Sequence, residues 1–157
     1  MRKSFIFIVA VITVTQLQAQ KSFKRNTAYA EILGNGMMIS ANYEYQLGSN
    51  PGFGLHIGIG LGGDKPAVPL GVKYLIDLGN KKSFIETGLG VTFAERGMWD
   101  EKLQNQNTNP YQPGFIPSIG YRHNTSYGLM WKLIYSPFFN KERSEWKFGG
   151  IAIGWRF

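Results

Sequence analysis

The stretch Phe53 to Leu61, FGLHIGIGL, decides the fold. Phe53, Leu55, Ile57, Ile59 and Leu61 hold every second position, with Gly54, His56, Gly58 and Gly60 between them. Period two is the spacing of a β-strand, whose successive side chains leave opposite faces. A helix through the same residues would carry Gly54, Gly58 and Gly60 in its interior, each costing about 1 kcal/mol.

The alternation repeats along the chain. Met37 to Leu47 (MMISANYEYQL) places Met37, Ile39, Ala41, Tyr43, Tyr45 and Leu47 in one row. Val68 to Leu78 aligns Val68, Leu70, Val72, Tyr74, Ile76 and Leu78, and Ser83 to Ala94 aligns Ile85, Thr87, Leu89, Val91 and Phe93. Phe115 to Tyr121, Tyr127 to Tyr135 and Ile151 to Phe157 continue the pattern, and a weaker strand, Thr27 to Gly34, precedes them all. Eight such strands joined by turn-rich segments predict an all-β chain, its sheet closed on itself or packed as a sandwich.

The polar face decides which side is inside. Soluble sheets coat that face with Lys, Glu and Thr; here it is largely glycine, including Gly54, Gly58, Gly60, Gly88, Gly90, Gly120 and Gly154. Small residues suit the cramped interior of an eight-stranded barrel, where they make room for long polar neighbours. The aromatic-rich apolar rows then form an outward band facing lipid. Connection lengths agree. GSNPG (48–52), GNKK (79–82) and HNTS (123–126) follow the even strands and are tight turns. The connections after odd strands are 34–36, 62–66, the long 95–114 and 139–145; two of the four are long, as expected outside the cell, while 34–36 is shorter than the pattern asks. Tyr43, Tyr45, Phe53, Tyr74, Tyr121, Tyr127, Trp155 and Phe157 would ring the periplasmic rim, and Phe93, Phe115 and Tyr135 the outer rim, with Trp131 mid-strand. Pro69 and Pro117 fall inside strands, where bulges would reconcile them with the ladder.

Arg2 and Lys3 precede the apolar run Phe5 to Val14, and TQLQAQ follows with small Ala19 before the cut, the pattern of a secretory signal peptide. The run has roughly ten residues where a spanning helix needs about 20. The expected division is a leader at 1–19 and one barrel domain at 20–157. Of the 157 residues, 20 are Gly, 17 are Lys or Arg, 10 are Asp or Glu and none is Cys, which excludes a disulfide framework and a thiolate metal site. The net charge is +7, or +5 once Arg2 and Lys3 of the leader are removed, and its basic residues are scattered rather than clustered, so contact with anionic lipid head groups explains it as well as nucleic acid, which is not expected as a partner. No metal-spaced His pair or phosphate-binding loop appears, and no cofactor is expected.

The opening segment TAYAEILGNGMMISANYEYQL (27–47), the last strand FGGIAIGWRF (148–157) and the alternation between them resemble small eight-stranded outer-membrane barrels of the OmpA and OmpX type, in the form common among Bacteroidetes. The resemblance implies a closed antiparallel up-and-down transmembrane β-barrel in the outer membrane. It also implies recognition of Trp155 and terminal Phe157 by the outer-membrane assembly machinery, and a monomer among outer-membrane lipids.

The lumen would collect Glu31, Glu44, Asp77 and Glu86 against Lys73, Arg122, Lys132 and Arg156, besides His56. Unpaired buried charges cost several kcal/mol each, so this balance predicts an ion-pair network that plugs the barrel. Strand order suggests Arg156 near Glu31 and Glu44, and Lys73 and Arg122 near Glu86. Two rival classes remain. A lipid-modifying enzyme of the lipid A deacylase kind needs a Ser, a His and an acid near the outer leaflet, whereas His123 and Ser126 fall in a periplasmic turn. A soluble lipocalin-like binder would turn the faces round and spread charge along its strands. The expectation is a non-catalytic envelope barrel with a structural or surface-interaction role, Trp99 and Tyr111 in the long loop being candidates for partner contact.

Overall fold

The structure, a computed structural model, describes residues 24–48, 51–61, 65–95, 111–141 and 144–157. Strand β1 (Asn26–Leu33) passes through a 3-10 turn (Gly34–Gly36) into β2 (Ile39–Gln46). Strands β3 (Phe53–Leu61), β4 (Pro66–Asp77), β5 (Ser83–Glu95), β6 (Tyr111–Asn124) and β7 (Leu129–Tyr135) follow. Two short strands, β8 (Phe138–Phe139) and β9 (Ser144–Glu145), lead into β10 (Gly149–Arg156).

Each strand from β1 to β6 pairs antiparallel with the next, β7 pairs with β10, and β10 pairs back onto β1. The result is a closed eight-stranded antiparallel barrel, with β8 prolonging the β7 side of the seam along β6. Followed round the wall, the registers return to β1 displaced by about ten residues. At about 3.3 Å rise per residue and about 4.8 Å between strands, that displacement tilts the strands by about 40°.

The expected faces are present. Along β2, Ser40, Asn42, Glu44 and Gln46 are buried while Ile39, Ala41, Tyr43 and Tyr45 are exposed. Ile57, Leu89, Leu133 and Ile153 each leave more than half their surface exposed, at 56, 53, 58 and 59%. One phase break departs from this pattern. Met37, placed by its spacing in the outward row, is buried inside the barrel, and Met38 is exposed instead. The Gly34–Gly36 turn folds into the barrel mouth and shifts the alternation by one residue. Leu33 at φ 60° and Met37 at φ 75° flank it in the left-handed region, a strain of order 1–3 kcal/mol each. Gly60 makes the fold-in possible, since a Cβ there would collide with the Gly36 carbonyl.

Three other expectations are corrected. No bulge forms at Pro69 or Pro117. Pairing of β3 with β4 stops at Ile57 opposite Leu70 and resumes at Gly60 opposite Ala67 in unchanged register, while Pro69 stays opposite Thr92 on β5. The missing donor thus faces β3. Likewise β6 leaves β7 at Ile119 opposite Tyr135 and meets β8 at Phe115 opposite Phe139, which sets Pro117 against Pro137. Trp131 is not mid-strand: β7 begins at Leu129, so Trp131 lies at the short-turn end, 5.3 Å from the Tyr121 ring. There it joins the Phe53–Tyr74 pair at 4.7 Å and the Tyr127–Trp155 pair at 6.1 Å. Tyr111 is the first residue of β6, opposite Glu95, rather than a loop residue; Trp99 and the segment 1–19, expected as a leader, lie outside the described residues.

Closure joins the two ends of the described chain, and it is testable because no native cysteine interferes. Ile32 and Ile151 lie directly opposite each other on β1 and β10. Ile32→Cys/Ile151→Cys should form an intramolecular disulfide on mild oxidation, read as a mobility shift in a denaturing non-reducing gel. Two titratable thiols after oxidation would contradict the register.

Candidate functional site

The interior holds the charges. Arg122 reaches from β6 across the lumen, its Nη1 donating to Glu44 Oε1 on β2 at 2.5 Å and to Glu86 Oε2 on β5 at 3.2 Å. Nη2 donates to Thr27 Oγ1 at 3.2 Å and Nε to Asn124 Oδ1 at 3.1 Å. Lys73 Nζ lies 3.1 Å from Glu86 Oε1 and 3.7 Å from Glu44 Oε2, and it donates to the Tyr29 hydroxyl at 2.8 Å. Lys132 Nζ sits 3.1 Å from the same Glu86 oxygen and 3.3 Å from Glu31 Oε2. The Tyr29 ring faces both ammonium groups, with Nζ atoms 5.0 and 4.3 Å from its centroid. Three carboxylates thus balance three cations, all six side chains at most 1% exposed.

Register explains why they fit. Lys73 lies between Gly54 and Gly88 on its two neighbouring strands, and Glu86 lies between Leu75 and Gly120. The absent side chains leave the space that the long charged ones fill, so the inward glycines and the ion pairs form one packing arrangement.

Of the eight residues expected in the lumen, Glu31, Glu44, Lys73, Glu86, Arg122 and Lys132 come together in this cluster. Glu31 takes Lys132 as a partner and also accepts the Asn35 backbone N–H at 2.7 Å. Arg156 is buried beside the segment leading into β1, where its Nη2 donates to the Lys24 carbonyl at 2.9 Å. Asp77 is corrected: it is exposed, and its Oδ1 accepts the backbone N–H groups of Gly79 at 2.9 Å and Lys81 at 3.0 Å. Its parity is inward, but it ends β4 at the rim, below the level of the lumen, and so it organises a turn.

Above the charges lies an apolar layer that the alternation did not announce. Met37, Ala67, Ala94, Ile116 and Phe138 form a buried cluster beneath the inward turn. The Asn35 carbonyl accepts Thr92 Oγ1 at 2.6 Å, and Asn35 Nδ2 is 3.4 Å from His56 Nε2. The mouth is therefore closed twice, by an ionic layer and by a turn resting on greasy side chains.

His123 belongs to β6 rather than to a turn, and its partner is Ser83, not Ser126: Nδ1 lies 3.2 Å from Ser83 Oγ. That hydroxyl also accepts hydrogen bonds from Asn80 Nδ2 at 3.1 Å and Tyr121 OH at 3.0 Å. Ser83 is 7% exposed. Among the described residues, no group of three or more His, Asp or Glu side chains is placed to hold a metal ion.

The solved N-terminal β-barrel domain of Pseudomonas aeruginosa OprF is similar in structure, with a TM-score of 0.51 over 85% of this chain and 96% of that one. Identity is 15%, so the likeness is one of fold. No family model and no curated relative matches the chain.

Removing one member of a buried ion pair costs about 3–5 kcal/mol, because the other charge is left uncompensated. Glu86→Gln strips one carboxylate from three cations and should lower the unfolding free energy by about that amount in urea titration of the detergent-folded barrel. Asp77→Ala, at the exposed rim, should cost about 1 kcal/mol or less. Equal effects would show that the lumen cluster does not hold the barrel together.

Proposed function

We propose that this chain is an integral outer-membrane barrel with a closed lumen, acting as a structural or surface-interaction protein rather than as a catalyst. The observation that carries the reading is the inversion of faces. Charged side chains occupy the centre, and Ile57, Leu89, Leu133 and Ile153 stand exposed on the outside. A monomeric soluble protein rarely exposes a continuous apolar belt of this size, and in bilayer hydrocarbon only helices and closed barrels satisfy the backbone. Aromatic pairs at the short-turn end and the leader pattern at 1–19 support the same reading. In it, the chain crosses the inner membrane by that leader, is cut after Ala19, and presents outward-facing Trp155 and Phe157 to the assembly machinery. The end of the barrel at which β5 and β6 are joined then faces the exterior, and the barrel stands as a monomer among lipids. A soluble lipocalin-like binder would require the apolar rows to line a cavity, opposite to their placement.

Cell fractionation tests this reading. A folded species in the outer membrane, whose gel mobility changes on boiling, is the expected result; recovery in the soluble periplasm would end the proposal. At β3's midpoint, Ile57→Lys should destabilise the barrel in lipid by about 2–4 kcal/mol, the cost of a midplane lysine. In a water-facing wall the same change would stay within about 0.5 kcal/mol.

A further inference from the structure

Strand β1 is lean on its outer face. Ala28 and Ala30 point outward, and Ala41 on β2 lies directly opposite Ala30. On the other side Ala28 pairs with Trp155 and Ala30 with Ile153, and Leu129 stands beyond them. These six residues, with Tyr29, Asn42 and Gly154 between them, line an open cleft of about 490 Å³ in the outer wall.

The short-turn end of the cleft is cationic. Lys24 Nζ stands 5.8 Å from the centroid of Trp155, the indole that walls the cleft, and it donates to the Tyr127 carbonyl at 2.8 Å. An ammonium has three donors, so two remain for another acceptor. Arg25 follows, exposed. Beside them Tyr43 OH is held on Asn26 Oδ1 at 2.6 Å. A polar, cationic lip thus tops an apolar trough.

We propose that this cleft seats one anionic phospholipid, with an acyl chain along Ala28, Ala30 and Ala41 and the phosphate on Lys24 and Arg25. The proposal rests on the membrane reading above. Charge complementarity selects this occupant over a second copy of the chain. Two copies in one membrane share an orientation, so a two-fold pairing on this face would set both Lys24–Arg25 pairs at one depth, like charge against like charge. A phosphate neutralises them instead, and Trp155 has the amphipathic character suited to that depth.

Native mass spectrometry of the folded barrel, released from micelles holding equal phosphatidylglycerol and phosphatidylcholine, tests the proposal. The expected result is a one-to-one phosphatidylglycerol adduct favoured about tenfold over phosphatidylcholine, equivalent to about 1.4 kcal/mol. Lys24→Gln/Arg25→Gln should reduce that adduct about tenfold. Ala30→Phe, which fills the trough and keeps both charges, should do the same. An adduct unchanged in either variant overturns the proposal, as does a wild-type dimer that Ala30→Phe converts to monomer. Boiling-dependent mobility establishes that each variant is folded; Lys24 and Arg25 precede β1, so the charge variant decides the matter if Ala30→Phe does not fold. A wild-type chain that fails to float with vesicles removes the membrane reading and this proposal together, whereas a floating barrel without the adduct removes the proposal alone.

Discussion

Arg122 spans the lumen from β6 to Glu44 on β2, four strands away round an eight-stranded wall, and the rest of the interior is arranged about that contact. A guanidinium is a planar fork that serves two carboxylates at once, and Glu86 takes its second hydrogen-bonding direction. Glu86 then holds both lysines, and the lysines share Tyr29. A barrel whose apolar rows face outward keeps only a small greasy layer inside, Met37 with Ala67, Ala94, Ile116 and Phe138. Below that layer the interior is held by paired charges, and removing one partner of a buried pair leaves the other uncompensated.

That requirement explains the glycine content. Six long charged side chains converge in a narrow cylinder only if the positions beside them are nearly empty, and Gly54, Gly88 and Gly120 are the register neighbours of Lys73 and Glu86. The same economy of space admits the Gly34–Gly36 turn over Gly60. Polar and apolar layers therefore stack along the axis, the ionic cluster below and Met37 with Phe138 above. On the outside the logic runs the other way: β1 is lean at Ala28 and Ala30, and the wall there is notched.

The alternation made the outward rows legible, since period two is a local property of each strand. Charge balance made six members of the lumen cluster legible as well. What escaped were features that depend on height along the axis or on a neighbour far away in sequence. Asp77 has the parity of a lumen residue but ends its strand at the rim. Met37 follows a turn whose inward fold depends on Gly60 and Thr92, on β3 and β5. His123 finds Ser83 only through the pairing of β5 with β6.

By itself the sequence determined that the chain is built of strands and which side of each is apolar, because each follows from side-chain spacing within a few residues. Only the tertiary structure decided which charges meet, that the first connection folds inward, and that Pro117 faces Pro137 across a seam. Those outcomes are set by strand register and by closure of β10 onto β1, and register is a relation between strands that no single strand encodes.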